Sequence, residues 1–245
     1  MNIFGQKKSF VNSGLLNNTT DVHSHILPGV DDGVKTYNEA VESLLWLKRI
    51  GVNRLYLTPH IMTAFPGNAS EFVVEQFGIF KKRMADDGIG DIPELKLGAE
   101  YMLEPAFEIH KKGSLLTYSK QQLLVETSYI TPPMGLFDML EELMEDGYTP
   151  VFAHPERYMY MDMSDYKLLK YKGVRFQLNF LSMTGAYGRL IKEKASQLLQ
   201  KGYYDYAGSD FHHLLRHKDD FLTKSLTKKQ TTAIMYLFEN NNALW

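Results

Sequence analysis

Nine residues of the kinds that hold hard and borderline metal ions stand at, or just beyond, the ends of apolar strand-like runs: His23, His25, Asp32, His60, Glu100, Glu126, His154, Asp210 and His212. The chain has no cysteine, so thiolate ligands and thiol nucleophiles are excluded and any hydrolysis falls to activated water, a carboxylate or a histidine. His23-Ser-His25 alternates along an extended segment, which turns both imidazoles to one face. The following LPGVDDG turn brings carboxylates back toward them, with Asp32 the preferred ligand and Asp31 the alternative, or else the cap of the turn. His60 follows LYLTP, Glu100 follows LKLGA and Glu126 follows LLV. Acids that end apolar strands are rarely buried unless paired or bound to metal. His154 sits in VFAHPER, and Asp210-Phe-His212 repeats the alternation of the opening His-Ser-His.

Each residue alone has an ordinary reading as a salt-bridge partner or a satisfied polar group. Their recurrence at strand end after strand end does not. Nine ligands exceed the needs of one ion and point to two or three divalent ions sharing carboxylates. Imidazole and carboxylate without thiolate favours Mn²⁺, Fe²⁺ or Zn²⁺. Such a site lowers the pKa of bound water, orients a phosphate oxygen and stabilises a leaving oxygen, the roles that phosphoester hydrolysis uses together. Asp210 is expected to bridge ions or to position the attacking water. Arg157 and Arg216 each follow a ligand-bearing segment closely enough to meet a phosphate. His110 reads as a surface residue, and His213 and His217 as non-ligating neighbours of the mouth.

The elements that must position these groups alternate between strand and helix. Strands are expected at 19–23, 53–60, 93–100, 121–128, 149–154, 174–179 and 204–210. Gly51, Gly147, Gly173 and Gly202 each close a helical pattern shortly before a strand. Thr36 and Glu39 form a capping-box pattern ahead of AVESLLWLKRI. Repeated αβ units imply a largely parallel sheet, and seven strands suggest a barrel, whose C-terminal strand ends would gather the nine residues at one mouth. The sixth strand ends in Gln177 and Asn179, polar but not ligands of choice. The expected organisation is a leader over 1–18, read as floppy, and one barrel domain over 19–245 with a final helix near 228–240 on its outside.

Composition narrows the function classes. With 27 basic and 29 acidic residues the formal charge is −2, which gives no large basic field for nucleic acid. No run of about 18 apolar residues is present for a membrane span, and the N-terminus lacks a signal-peptide pattern. Lys7 and Lys8 beside Phe4 and Phe10 are the one local feature suited to a membrane surface.

Taken in order, DVHSHILPGVDDG, LTPH, GAEY, LLVE, AHPERY and GSDFH resemble the polymerase-and-histidinol-phosphatase (PHP) superfamily of metal-dependent hydrolases. More narrowly they resemble the CpsB/CapC (YwqE-like) protein-tyrosine phosphatases of bacterial capsule and exopolysaccharide biosynthesis. The resemblance spans about residues 19–220. It implies a distorted (β/α)7 TIM-like barrel and a trinuclear, usually manganese-dependent site. It implies a cytoplasmic protein phosphatase that hydrolyses phosphotyrosine on the tail of a cognate bacterial tyrosine kinase, which would recruit it to the inner membrane face. It carries the metal-ligand roles onto the same nine residues, and phosphate contact onto Arg157. Arg216 matches more loosely because the spacing after SDFH differs, and the leader before Asp21 is longer than in many relatives. Such a leader would shield or fill one end of the barrel, or mediate contacts.

Two other functions compete with this expectation, and a nucleic-acid-processing exonuclease of the same superfamily is a third, disfavoured by the near-neutral charge and the absence of a basic stripe. A small-molecule phosphatase resembling histidinol phosphatases would differ in pocket depth and rim, where Phe65, Tyr101, Tyr129 and Tyr158 are the candidate aromatic residues. A metal-stabilised scaffold in polysaccharide export regulation would be expected to have lost ligands. The oligomeric state is left open by the sequence.

Overall fold

The structure, a computed structural model, describes residues 8–245. In chain order the elements are β1 (Lys8–Ser9), α1 (Phe10–Ser13), β2 (Thr19–Asp21), α2 (Tyr37–Arg49), β3 (Val52–Leu57), β4 (His60–Ile61) and α3 (Ser70–Asp86). There follow β5 (Glu94–Leu97), β6 (Glu100–Met102), α4 (Phe107–His110), β7 (Gln122–Glu126), α5 (Leu136–Glu145), β8 (Thr149–Ala153) and α6 (Met163–Lys172). The chain ends with β9 (Arg175–Asn179), α7 (Arg189–Gln200), β10 (Tyr206–Gly208), α8 (Leu214–Thr223), β11 (Ser225–Leu226) and α9 (Lys228–Asn241).

Parallel ladders join β2 to β3 to β5, and β4 to β6, β7, β8, β9 and β10 in that order. β3 and β4 are one barrel strand interrupted at Thr58-Pro59, and β5 and β6 are another interrupted at Gly98-Ala99. These interruptions divide into two pieces what the apolar pattern predicts as single strands. The ring is closed where Ser24 pairs with Phe211, with hydrogen bonds from His25 N to Phe211 O (2.8 Å) and from Asp210 N to His23 O (2.9 Å). Seven parallel barrel strands result, at the seven positions expected. Every residue of β7 is buried, as suits a parallel strand covered on both faces.

Local chemistry sets the helix boundaries. The Thr36 side chain accepts from Glu39 N at the start of α2, and Asp162 and Thr227 complete capping boxes on α6 and α9. Gly173 ends α6 at φ 102°, a left-handed turn that frees the chain to enter β9 directly. Among the described residues no helix is long and apolar enough to cross a membrane.

The described part of the leader is not floppy. β1 pairs with β11, and Phe10, 1% exposed, packs its ring against Phe180 and Phe221 (5.1 and 5.7 Å between centroids). Burial of an aromatic ring of that size is worth several kcal/mol, enough to hold a short segment down. Phe4 and Lys7 lie outside the described residues, and with Phe10 buried the membrane-contact expectation loses one of its two aromatic groups. Among the described residues the leader does not fill the N-terminal end of the barrel either. That end is covered by Leu244 and Trp245, which join Val22, Tyr56, Tyr118, Leu124, Val151, Ala153 and Tyr206 in a second apolar cluster that runs from the N-terminal end up between the strands. α9 lies outside the barrel across β2 and β10, where Asn241 Nδ2 donates to Thr20 O and Ala207 O (2.7 Å each) and Asn241 Oδ1 accepts from Ala207 N (3.2 Å).

Candidate active site

Two glycines allow the site to close. The segment after His25 folds back so that Val34 N donates to His25 O (2.9 Å), and a Cβ on Gly33 would lie 2.1 Å from that oxygen. At Gly208 a Cβ would lie 2.7 Å from His23 Cβ and 2.9 Å from Gln177 Nε2. Only glycine fits either place. The returning turn separates the two aspartates. Asp31 is buried and accepts from His25 Nδ1 (2.8 Å), Gly33 N (2.9 Å) and His60 N (3.0 Å). Asp32 projects outward and brings Oδ1 to 3.4 Å from His60 Nε2 and 3.6 Å from His212 Nε2.

All nine predicted residues meet at the C-terminal mouth. Their ligand atoms form four overlapping groups, each spanning no more than 4.8 Å: His25, Asp32, His60 and His212; His23, His25 and Asp210; His23, Glu100 and His154; His60, Glu100 and Glu126. Glu100 stands at the centre. Its Oε2 lies 3.2 Å from His23 Nε2, 3.3 Å from His25 Nε2 and 3.2 Å from His60 Nδ1, and its Oε1 lies 3.0 Å from His154 Nε2. Lateral register accounts for part of this, since His60 and Glu100 are direct partners across β4 and β6. His154 and Asp210 adopt left-handed backbone conformations (φ 34° and 54°), uncommon outside glycine and costing about 1–3 kcal/mol each, a strain that concentrates at functional sites.

A surrounding layer fixes the imidazoles. His23 Nδ1 donates to Gln177 Oε1 (2.9 Å), whose Nε2 donates to Leu178 O (2.6 Å), so the amide is held and His23 Nε2 faces inward. Asp31 does the same for His25, and the Asp210 carbonyl for His212 Nδ1 (2.9 Å). Second partners of this kind orient ligating histidines in metal sites. Asn179 donates to Asp210 Oδ2 (3.1 Å). Gln177 and Asn179, polar ends of the sixth strand, therefore serve the site without joining the nine. The signal was their strand-end position.

The electrostatics call for cations. Burial opposes charge on Glu100, but His23, His154 and His25 outweigh it and hold the carboxyl well below its usual range. Asp210 is likewise held well down against burial by Arg157, His212 and His23. Burial works against protonation of His23 and His25, yet Glu100 and Asp210 raise the first, and Asp31, Asp210 and Glu100 raise the second well above its ordinary value. His60 is pushed up to about 9, as Glu126 and Glu100 outweigh burial and the neighbouring His25. Among the described residues Arg157 is the only lysine or arginine that ion-pairs with Asp32, Glu100, Glu126 or Asp210, through a 2.7 Å contact from Nη2 to Asp210 Oδ2. Buried and without hydrogen-bond partners are His60 Nδ1, Glu100 Oε2 and Glu126 Oε1. Four converging carboxylates, five imidazoles and three orphaned inward atoms fit divalent cations, which would take the positions that protons otherwise fill.

The cluster opens into a cleft of about 460 Å³ lined in part by Asp32, His60, Phe65, Glu126, Tyr129, Arg157, Tyr187, Asp210, His212 and Arg216. Arg157 also donates from Nη1 to Tyr129 OH (3.3 Å), and its Nε has no partner. Arg216, on α8, is exposed at the rim. Of the four expected aromatic residues, Phe65 and Tyr129 line the cleft, Phe65 stacked on His60 at 5.9 Å. Tyr101 and Tyr158 do not. Both are 0% exposed. Tyr101 OH bonds Ser70 Oγ and Leu116 N (2.9 Å each), and Tyr158 OH accepts from Thr127 N (3.2 Å) behind His154. Strand alternation sends Tyr101 outward into the helix layer, and the 3₁₀ turn Pro155–Arg157 after β8 carries Tyr158 behind His154, directions their motif positions did not reveal. His110 is half-buried on α4 rather than at the open surface. His213 and His217 reach the cleft wall but join none of the four groups. His217 is buried, stacks on Phe211 at 4.5 Å and is pushed down to about 3, chiefly by burial. Tyr187 was not anticipated; it lies in an irregular loop with no motif to mark it.

Comparison with known proteins agrees with this architecture. The chain is 28% identical over 200 residues to the tyrosine-protein phosphatase YwqE of Bacillus subtilis (strain 168), covering 79% of this chain and 77% of that protein. It is 27% identical over 206 residues to the tyrosine-protein phosphatase CpsB of Streptococcus pneumoniae, covering 79% and 83%. It is 27% identical over 222 residues to the putative tyrosine-protein phosphatase CapC of Staphylococcus aureus, covering 88% and 85%. A solved structure from work on YwqE of Bacillus subtilis and CpsB of Streptococcus pneumoniae, described as unique metal-dependent tyrosine phosphatases, superposes with a TM-score of 0.73 at 24% identity, over 90% of this chain and 86% of that one. The barrel fold is thus shared, and with the model of the family described as capsular polysaccharide synthesis, CpsB/CapC, matching residues 19–243, the chain belongs to that family.

Proposed function

We propose that this chain is a metal-dependent protein-tyrosine phosphatase. The observation that carries the reading is Glu100, a buried carboxylate shared by two overlapping ligand groups and facing four imidazoles, at the base of a cleft whose wall holds Arg157. The nine residues His23, His25, Asp32, His60, Glu100, Glu126, His154, Asp210 and His212 would hold two or three divalent ions, Mn²⁺ by preference. Bound there, such ions supply Lewis-acid activation of water and of the phosphoryl group.

The chain's own residues do the rest. Arg157 offers guanidinium donors to phosphate oxygens from a nearly buried position, where a charge-assisted bond is strong. Asp210, held ionised by Arg157, orients the attacking water. Arg216 adds a second cation at the rim. Phe65 and Tyr129 bound the space where a phenyl ring would lie. Gln177, Asn179 and Asp31 keep the imidazoles and Asp210 from turning as charge develops. With no cysteine there is no covalent phosphoenzyme of the thiol type, and a phenolate leaves readily enough that the need for a strong general acid is mild. The membership in a capsular-polysaccharide family supports a substrate on a bacterial tyrosine kinase of such a system, met in the cytoplasm at the membrane's inner face.

The test is phosphate release from a phosphotyrosyl peptide and from histidinol phosphate, with Mn²⁺ supplied and then chelated. Peptide turnover that chelation abolishes is expected. Turnover that survives chelation, or a preference for histidinol phosphate, overturns the assignment.

A further inference from the structure

We propose that Tyr187 is a positioning residue that holds Arg157 and Arg216 as a pair for a dianionic phosphate; the inference rests on the phosphatase reading above. Tyr187 lies on the short connection between the 3₁₀ turn Phe180–Thr184 and α7, between Gly185 and Gly188, both left-handed (φ 90° and 100°). The bend at each side turns the ring inward to the cleft. The Arg157 guanidinium carbon sits 4.1 Å from the ring centroid and that of Arg216 sits 5.7 Å from it. Both distances are within cation–π range.

Two features distinguish this from a chance aromatic contact. First, the ring is gripped: Asn179 Nδ2 donates to Tyr187 OH (3.2 Å) and also to Asp210 Oδ2 (3.1 Å), and Asp210 Oδ2 in turn pairs with Arg157 Nη2 (2.7 Å). The aromatic face is therefore tied to the same carboxylate that anchors the first arginine. Second, among the described residues Arg216 has no carboxylate within ion-pairing distance, and the face of Tyr187 is what holds its guanidinium near Arg157. Gathering two guanidinium groups on one ring sets like charges near each other. That arrangement gains when an anion with two negative charges sits between them. A ring that holds both cations in advance removes the cost of ordering a long exposed side chain when the anion arrives.

The test uses full-length, Mn²⁺-loaded protein and inorganic phosphate as the probe, with the dissociation constant measured by calorimetry alongside metal content and thermal midpoint. Tyr187→Leu is expected to weaken phosphate binding by about three- to thirtyfold, the span of an ordinary to a strong cation–π contact, with metal content unchanged. Tyr187→Phe, which keeps the face and loses the hydroxyl, should stay much closer to the parent. Because Tyr187 acts partly through Arg216, Tyr187→Leu should cost less phosphate affinity in the Arg216→Ala background than in the parent, the remainder being its effect on Arg157. Should the leucine variant not fold, Tyr187→Gln, polar and without a π face, takes its place. Unchanged phosphate affinity in the leucine or glutamine variant, additive losses in the double variant, or a raised KM for a phosphotyrosyl peptide at constant phosphate affinity each overturn the proposal. A parent protein that binds phosphate in a Tyr187-dependent way yet fails to hydrolyse phosphotyrosine would sink the phosphatase reading and leave this one standing.

Discussion

The two ends of the barrel are built from the same strands and differ in almost every physical respect. From the N-terminal end up to mid-strand Tyr56, Tyr118, Leu124, Val151 and Tyr206 pack with Leu244 and Trp245, Tyr56 and Tyr118 edge to face at 4.7 Å, and tyrosine hydroxyls here are satisfied by main-chain and amide oxygens such as Leu244 O (2.7 Å) and Gln122 Oε1 (2.7 Å). At the C-terminal end buried histidines and carboxylates crowd together with orphaned atoms. One end is satisfied; the other is arranged around what it binds. The contrast teaches that this fold places its unmet interactions at the mouth and stabilises them with a base that has few.

Breaking the mouth should abolish chemistry and leave the fold. Glu100→Gln removes the carboxylate that faces four imidazoles, so turnover by metal-loaded protein should fall about 10³-fold or more, ~4 kcal/mol of barrier. The thermal midpoint in chelator should not fall with it. Turnover within tenfold of the parent would show that the mouth does not depend on this residue. Breaking the base should do the reverse. Tyr118→Ala empties a site 4% exposed and should cost about 3 kcal/mol in denaturant unfolding, while the folded fraction turns over within about threefold of the parent. A large activity loss without destabilisation would erase the distinction between the two ends.

The seam joining them gives an intermediate case. Asn241→Leu leaves Thr20 O, Ala207 O and Ala207 N without their partner between β2 and β10, and should cost about 2 kcal/mol. Because β2 runs on to His23 and β10 to Asp210, manganese titration should also show weaker binding. Stability loss with untouched metal affinity would mean that the two ends are mechanically independent. The last case concerns acid. His217 is held down to about 3 by burial, below the value near 6.5 expected in the unfolded chain. The unfolded state therefore takes up a proton first, and stability that is fully present above pH 6.5 is lost progressively as pH falls toward 3. His217→Phe should flatten that part of the profile, read as the difference in unfolding free energy between parent and variant from pH 7 to 4 in chelator. A difference that does not change with pH would remove His217 from the acid response.

Sequence reading reached the barrel through local signals: glycine after helix, apolar run, polar strand end. Those repeat at short range, and their chemistry does not depend on what lies across the molecule. It reached the nine clustered residues for the same reason, because a parallel barrel sends every strand end to one mouth. It did not reach the direction of Tyr101, which turns on a one-residue phase of strand alternation, or that of Tyr158, which is set by the 3₁₀ turn Pro155–Arg157. Nor did it find the packing of Phe10 against Phe180 and Phe221, since such contacts join residues about 170 and 210 positions apart and leave no periodic trace.

What the sequence determined by itself is the supply of chemistry: imidazoles and carboxylates in a fixed order, no thiol, and seven strands to carry them. What only the tertiary structure decided is how each group is used. Asp31 and Asp32 are chemically identical neighbours, yet one is buried against His25 and His60 and the other projects to His60 and His212. Gln177, Asn179 and Tyr187 acquire their roles from His23, Asp210 and the two arginines beside them. The physical reason is that residue type fixes what a side chain is able to bind, while burial, tautomer and charge state are set by neighbours that the chain brings together only when the barrel closes.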